Sequence, residues 1–249
     1  MKIEHLSAGY RGKAVVPEVS LDIKKGEIIS FIGPNGAGKS TILKTIYREL
    51  SPVSGAVYID GKEVSRMPLK ELARKMSIVT TGRIKPEHMT CREVVMAGRL
   101  PYTDGFGVLG KEDREASEDA ISLMKIESFA DKQFNNLSDG QKQRTLIARA
   151  IAQAPDFLVM DEPTSYLDIR YRMELMEVLE GLSQKGVTIV MSLHELELAV
   201  SVSDRLLLVY EDGTTVCKTP SEVMEEGLIK DLFSLTDEMY EKIYGKGRI

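Results

Sequence analysis

The sequence predicts an α/β fold built on a mainly parallel sheet with a helical insert, and three observations carry that expectation. From Asp156 onward, strand-like runs at 157–160, 187–192 and 206–210 alternate with helical periodicity at 171–182 and 195–202. Near the start, the apolar run 27–32 leads into a glycine-rich loop, after which Ile42, Leu43 and Ile46 recur at helical spacing. Between these stretches, residues 85–150 read differently, with helical periodicity at 116–126 and 145–152.

The elements follow in order. Residues 1–6 and 15–23 carry β signals, and 27–32 is short and apolar enough for a buried strand. The loop after it reads Gly33-Pro34-Asn35-Gly36-Ala37-Gly38-Lys39-Ser40-Thr41 and fits G-x-x-x-x-G-K-[ST]. Glycines there let the backbone turn its N–H groups toward phosphate oxygens, the lysine reaches the β- and γ-phosphates, and the hydroxyl binds Mg²⁺. A helix starting near Lys39 turns its positive dipole end to the same anion. A glycine-rich turn between strand and helix is the bland alternative. Turn signals at 52–55 and Asp60-Gly61 bracket a strand at 56–59. Residues 101–110 form a glycine-rich loop, and the tail from Ser221 is partly amphipathic and expected to pack as helices.

Composition narrows the class. The 249 residues are 43% hydrophobic and 29% charged, ordinary for a folded soluble chain. A net charge of −5 argues against a nucleic-acid binder working through a broad basic surface. The longest apolar runs are far short of a membrane span, and residues 1–5 lack the apolar core of a signal peptide, so a cytosolic location is expected. Cys91 and Cys217 make no disulfide framework or metal-ligand spacing with the three histidines and read as structural.

Two further motifs matter. Residues 157–160 form an apolar strand that ends in Asp161 and Glu162. In P-loop NTPases an Asp at such a place holds Mg²⁺, and a carboxylate beside the γ-phosphate can deprotonate the attacking water. Leu137-Ser138-Asp139-Gly140-Gln141 also reads as ordinary helix chemistry. Ser138 suits an N-cap with Gln141 three residues on, and Leu146, Ile147, Ala150 and Ile151 give one apolar face.

The order glycine-rich loop, then L-S-x-G-Q, then Asp-Glu strand resembles the ATP-binding cassette (ABC) ATPases over nearly the whole chain. The resemblance implies a P-loop NTPase core with an N-terminal antiparallel β subdomain and an inserted helical subdomain. One ABC domain would span 1–249: core and β subdomain at 1–84 and 155–220, helical signature subdomain at 85–154, and a helical tail at 221–249. It makes residues 33–41 the Walker A loop around ATP and Mg²⁺. Tyr10 becomes the adenine-stacking aromatic, although it could simply pack. Asp161 becomes the Walker B aspartate, Glu162 the catalytic base, and Lys39 and Ser40 with Mg²⁺ the groups that stabilise developing charge. Residues 165–168 resemble the D-loop, and His194 falls on the switch histidine that contacts the γ-phosphate. Ser138, Gly140 and Gln141 would complete the ATP site of a second copy, so a head-to-tail homodimer is implied.

One position departs from the family. A Gln usually ends the strand before the helical insert, and here the run is Met76-Ser77-Ile78-Val79-Thr80-Thr81, with Thr81 the best match and a shorter metal-directed reach. The run Arg92 to Tyr102, with Gly98-Arg99-Leu100-Pro101-Tyr102, is similar to the ATPases of iron–siderophore, haem and cobalamin importers, and an acidic stretch begins at Lys111-Glu112-Asp113. The implied assembly has two transmembrane permease subunits docked near residues 80–105, an extracytoplasmic substrate-binding protein, no nucleic acid, and a peripheral place on the inner membrane face. A soluble non-transport ABC ATPase of the cluster-assembly type and a nucleotide-binding regulatory module are the alternatives.

Overall fold

The strand before the glycine-rich loop lies inside a six-stranded sheet, with neighbours on both sides. The structure, a computed structural model, describes residues 1–80, 82, 86–103 and 107–244. Thr81 lies outside the described residues, as does the expected boundary at 84/85.

The chain opens with β1 (Lys2–Tyr10), β2 (Lys13–Asp22), β3 (Ile28–Ile32), α1 (Lys39–Ile46), β4 (Ser54–Ile59) and β5 (Lys62–Glu63). Next come α2 (Leu69–Lys75), β6 (Met76–Val79), α3 (Cys91–Met96), α4 (Lys111–Leu123) and α5 (Asp139–Ala152). The second half holds β7 (Phe157–Asp161), α6 (Ile169–Gln184), β8 (Thr188–Ser192), α7 (Leu196–Val202), β9 (Arg205–Val209) and β10 (Thr215–Lys218). Helices α8 (Pro220–Glu225), α9 (Leu228–Leu232) and α10 (Asp237–Tyr244) form the tail.

One sheet has the order β2-β1-β4-β5 and is antiparallel throughout. The other has the order β10-β9-β3-β8-β7-β6, parallel except for β10 on its edge. Strands β3, β7 and β8 are buried at every position, which is why they read as unbroken apolar runs. Their side chains still alternate between two cores, as a period of two requires. Ile28, Ile32, Leu158, Met160, Ile189, Met191, Leu206 and Leu208 join the core shared with α4, α5, α6 and the tail. Ile29, Phe31, Phe157, Val159, Val190, Leu207 and Val209 join the core under α1 and the antiparallel sheet.

Several boundaries differ from expectation for local reasons. Strand β4 begins at Ser54, which pairs with Ser7 of β1, while Gly55 lies at a register shift in the ladder rather than in a turn between strands. Helix α4 begins at Lys111 because Asp113 accepts the Gly110 N–H, and it stops at Leu123, where Arg144 takes the next two carbonyls, Met124 O and Lys125 O, at 2.7 and 2.6 Å. Helix α5 begins at Asp139, six residues before the periodic stretch, because Ser138 and Gln141 form the reciprocal capping box. Val223 of α8 and Ile229 and Leu232 of α9 enter the main core. Strand β10 gave no sequence signal: its four residues are all half-buried on a sheet edge.

Arg205 fastens the base of the parallel sheet. Its Nε and Nη2 donate to the two oxygens of Glu27 at 2.5 and 2.9 Å, and Nη2 also reaches Asp22 O at 2.6 Å. Glu27 is 8% exposed, so its carboxylate depends on this partner and on the Lys24 N–H. Arg205→Met should leave that carboxylate desolvated and lower stability by about 2–3 kcal/mol, less than a fully buried pair because Arg205 is partly exposed. Urea unfolding reads this directly; a loss within experimental error would mean the pair is only decorative.

Candidate functional site

Because β3, β8 and β7 are adjacent and parallel, their C-terminal ends emerge on one edge of the sheet, where α/β folds collect ligands. In register, Ser192 of β8 stands level with Phe31 of β3 and Asp161 of β7. The sheet thus delivers residues 33–39, 192–194 and 161–162 side by side.

The glycine-rich loop closes onto α1 through Gly38, whose φ of 110° lies outside the range an L side chain adopts easily. A Cβ there would also stand 2.5 Å from Val16 Cγ2. No side chain caps the N-terminus of α1, so its first-turn N–H groups are available to an anion. Lys39 is buried, and its Nζ donates to Gly33 O at 2.6 Å and Pro34 O at 3.0 Å, spanning the loop mouth. Burial pushes the Lys39 pKa down from its ordinary value, opposed by the Glu162 and Asp161 carboxylates. Asn35, Gly36 and Ala37 form the intervening turn, with Ala37 N donating to Pro34 O at 3.3 Å. Tyr10 is 47% exposed at the rim, and its hydroxyl lies 3.5 Å from Thr41 Oγ1.

Asp161 is 4% exposed, and its Oδ1 accepts from Ser40 Oγ at 3.0 Å and Ser192 Oγ at 2.6 Å. The Glu162 N–H donates to the same Ser192 oxygen at 2.9 Å. Glu162 has a φ of 50°, and its Oε1 lies 2.7 Å from His194 Nε2 while Ser165 Oγ donates to Oε2 at 3.3 Å. Ser40 and Asp161 supply hard oxygen donors, and no group of three or more His, Cys, Asp or Glu gathers as a metal cage among the described residues. That donor set fits Mg²⁺, which takes one or two protein oxygens and completes its shell with phosphate and water.

The L-S-x-G-Q segment stands apart. No hydrogen bond or ion pair of the described residues joins Ser138, Gly140 or Gln141 to residues 33–41. It is tied instead to the chain just beyond Glu162: a Cβ on Gly140 would lie 2.9 Å from Tyr166 O, and Gln143 Nε2 donates to Pro163 O at 3.1 Å. Arg144 stacks over the Tyr171 ring of α6 at 4.0 Å. Tyr166, Ile169 and Met173 are exposed large apolar side chains, the last two one turn apart on α6.

Ser192, Gln143, Arg144 and Glu195 escaped the sequence reading. Glu195 accepts from Thr164 Oγ1 at 2.9 Å and pairs with Arg172 at 2.7 Å, while Arg172 Nε donates to Leu167 O. The available signals were polar residues in apolar positions: a serine ending the run Ile189 to Met191, and Gln143 and Arg144 among the buried residues of an otherwise apolar helix face.

With this geometry in hand, the comparisons with known proteins are specific. The family described as ABC transporter matches residues 16–165. An uncharacterized ABC transporter ATP-binding protein of Methanocaldococcus jannaschii is 40% identical over 98% of this chain and 85% of its own. The iron(3+)-hydroxamate import ATP-binding protein FhuC of Bacillus subtilis is 37% identical over 96% of this chain and 89% of its own. Among solved structures, a dimeric ATP-binding cassette in a post-hydrolysis state with ADP and Pi aligns at a TM-score of 0.78 and 29% identity, over 88% of this chain and 98% of its own.

Gly38→Ala should lower stability by about 1–3 kcal/mol, from the backbone conformation alone, before any contact with Val16 is counted. Thermal unfolding of the variant beside the parent measures it, and an unchanged midpoint would show that the loop can take another path.

Proposed function

The chain belongs to the ABC transporter family and is one of its ATP-hydrolysing cassettes, and on that premise we propose that it powers uptake of an iron–siderophore or related metal chelate (haem, cobalamin) through partner permease subunits. The observation that carries the catalytic half is the gathering of Ser40, Asp161, Glu162 and His194 on one sheet edge beside Lys39. The cargo half draws support from the iron(3+)-hydroxamate import relative and from the Arg92 to Tyr102 run. In that run Arg99 stacks on Tyr102 at 4.0 Å, pairs with Asp113 at 3.0 Å and donates to Ala152 O at 2.9 Å, so the motif ties this run to α4 and α5 within the insert.

The chemistry follows from these residues. Residues 33–38 and the α1 N-terminus cradle the polyphosphate, with Thr41 beside them and Tyr10 offering its exposed ring to adenine. Lys39 gives up the Gly33 and Pro34 carbonyls for phosphate oxygens. Ser40 and Asp161 hold Mg²⁺, which neutralises charge on the phosphates when bound. Glu162 accepts the proton of the attacking water, and His194, already on its carboxylate, orients that water against the γ-phosphate. Ser138, Gly140 and Gln141 act on the nucleotide of a second copy in a head-to-tail homodimer. Their separation from their own glycine-rich loop and the exposed apolar side chains Tyr166, Ile169 and Met173 support this.

Among the described residues, no helix is long and apolar enough to cross a membrane, so attachment to the inner membrane face would come from two permease subunits docked near residues 80–105. An extracytoplasmic binding protein would deliver the chelate to them. Thr81 takes the place of the family's Gln toward the metal in this reading.

Glu162→Gln should cut the rate of Mg-ATP hydrolysis by about 100-fold or more while ATP still binds and holds the chain as a dimer in sedimentation. Near-normal hydrolysis by that variant would remove Glu162 as the base. Co-purification with a polytopic membrane protein is the expected result for the importer reading. A wild-type chain that binds ATP without turnover, even with its permease added, would instead be a nucleotide-binding regulatory module.

A further inference from the structure

We propose that Ser192 is a positioning residue for hydrolysis, a single buried hydroxyl that sets the side chain of Asp161 and the backbone of Glu162 together. The inference rests on the reading of Asp161 as Mg²⁺ ligand and Glu162 as base. Ser192 ends β8, the strand between β3 and β7, and is fully buried. A buried hydroxyl must satisfy both its donor and its acceptor capacity. Here both go to consecutive residues of one neighbouring strand: Ser192 Oγ donates to Asp161 Oδ1 at 2.6 Å and accepts from the Glu162 N–H at 2.9 Å. The direction is unambiguous, because an amide N–H can only donate and the hydroxyl proton is then left for the carboxylate.

Each bond has a separate consequence. Asp161 Oδ1 is shared between the hydroxyls of Ser40 and Ser192. When Ser40 turns its oxygen to a cation it can no longer be counted on to steer Asp161, but Ser192 still does. The aspartate therefore keeps one orientation with or without metal. Glu162 has a left-handed φ of 50°, a conformation that a non-glycine residue holds only when its surroundings impose it. Its N–H donates to the Ser192 oxygen. Without that acceptor the amide would be left unpaired at the edge of the core, and the backbone would relax, carrying the carboxylate off His194.

The test uses the full chain and a fluorescent methylanthraniloyl-ATP, titrated with EDTA and again with Mg²⁺, beside steady-state hydrolysis and thermal unfolding. Ser192→Ala should keep the Mg²⁺-free affinity and lose about 10-fold or more of the gain that Mg²⁺ adds, the size seen when partners of a metal ligand are removed. The hydrolysis rate constant should fall by a similar factor, and KM for Mg-ATP should rise as the Mg²⁺ gain is lost. Ser192→Thr, which keeps the hydroxyl, should recover most of both. If Ser192→Ala does not fold, Ser192→Cys, with a weaker donor and acceptor, should show the same two losses at smaller size. A wild-type Mg²⁺ gain and rate in Ser192→Ala or Ser192→Cys overturns the proposal, and so does an equal loss of affinity with and without Mg²⁺ together with a lowered unfolding midpoint. Asp161→Asn and Glu162→Gln run alongside: a normal Mg²⁺ gain in the first or normal turnover in the second would sink the underlying ligand and base assignments instead.

Discussion

The lateral order β3-β8-β7 is the constraint on which everything at this sheet edge depends. Parallel strands with matched register must end together, so Phe31, Ser192 and Asp161 stand level and the loops after them share one small volume. Three stretches of chain, Ser40 lying 121 residues from Asp161 and Ser192 another 31 beyond it, become neighbours without any long side chain having to reach. The shortest hydroxyl in the protein, a serine, is enough to bridge from one strand to the next. A slip of one residue in either ladder would turn every side chain of that strand to the other core and break this alignment at once.

The electrostatics follow from the same geometry. Lys39, Asp161 and Glu162 are brought close in a largely buried place, where a charge without a partner would be costly. Each is held by something already in the chain: Lys39 by two carbonyls, Asp161 by two hydroxyls, Glu162 by an imidazole and a serine. Such partners can be exchanged for phosphate, metal and water with little reorganisation, a condition for electrostatic preorganisation.

Most of this was legible in the sequence because the signals were local. A strand running into glycines, Lys39 and Ser40, an apolar run ending in Asp161-Glu162, and a serine three residues before Gln141 each announce an element by its own chemistry. The capping box of α5 is present alongside the signature reading of the same residues, so the bland and the specific interpretation coexist there. What the sequence hid is non-local. Glu195 looked like a helix start, yet it fixes Thr164 and Arg172 across the loop. Ser192 looked like the end of a strand. Arg144, just ahead of the periodic stretch at 145–152, gave no signal of its own, yet it is buried on a carbonyl twenty residues away. No periodicity reports a partner chosen by tertiary packing.

The insert has no interior of its own. Ile121, Phe129, Phe134 and Ile147 belong to the same continuous core as Leu158, Met160 and Met191 of the parallel sheet, and Arg144 on Tyr171 closes the seam from the polar side. Removing the insert would strip one face of the sheet, and removing the sheet would leave apolar side chains of the insert's helices in water. The two parts are thermodynamically a single cooperative unit. Such an arrangement gives the insert no state in which it is folded alone.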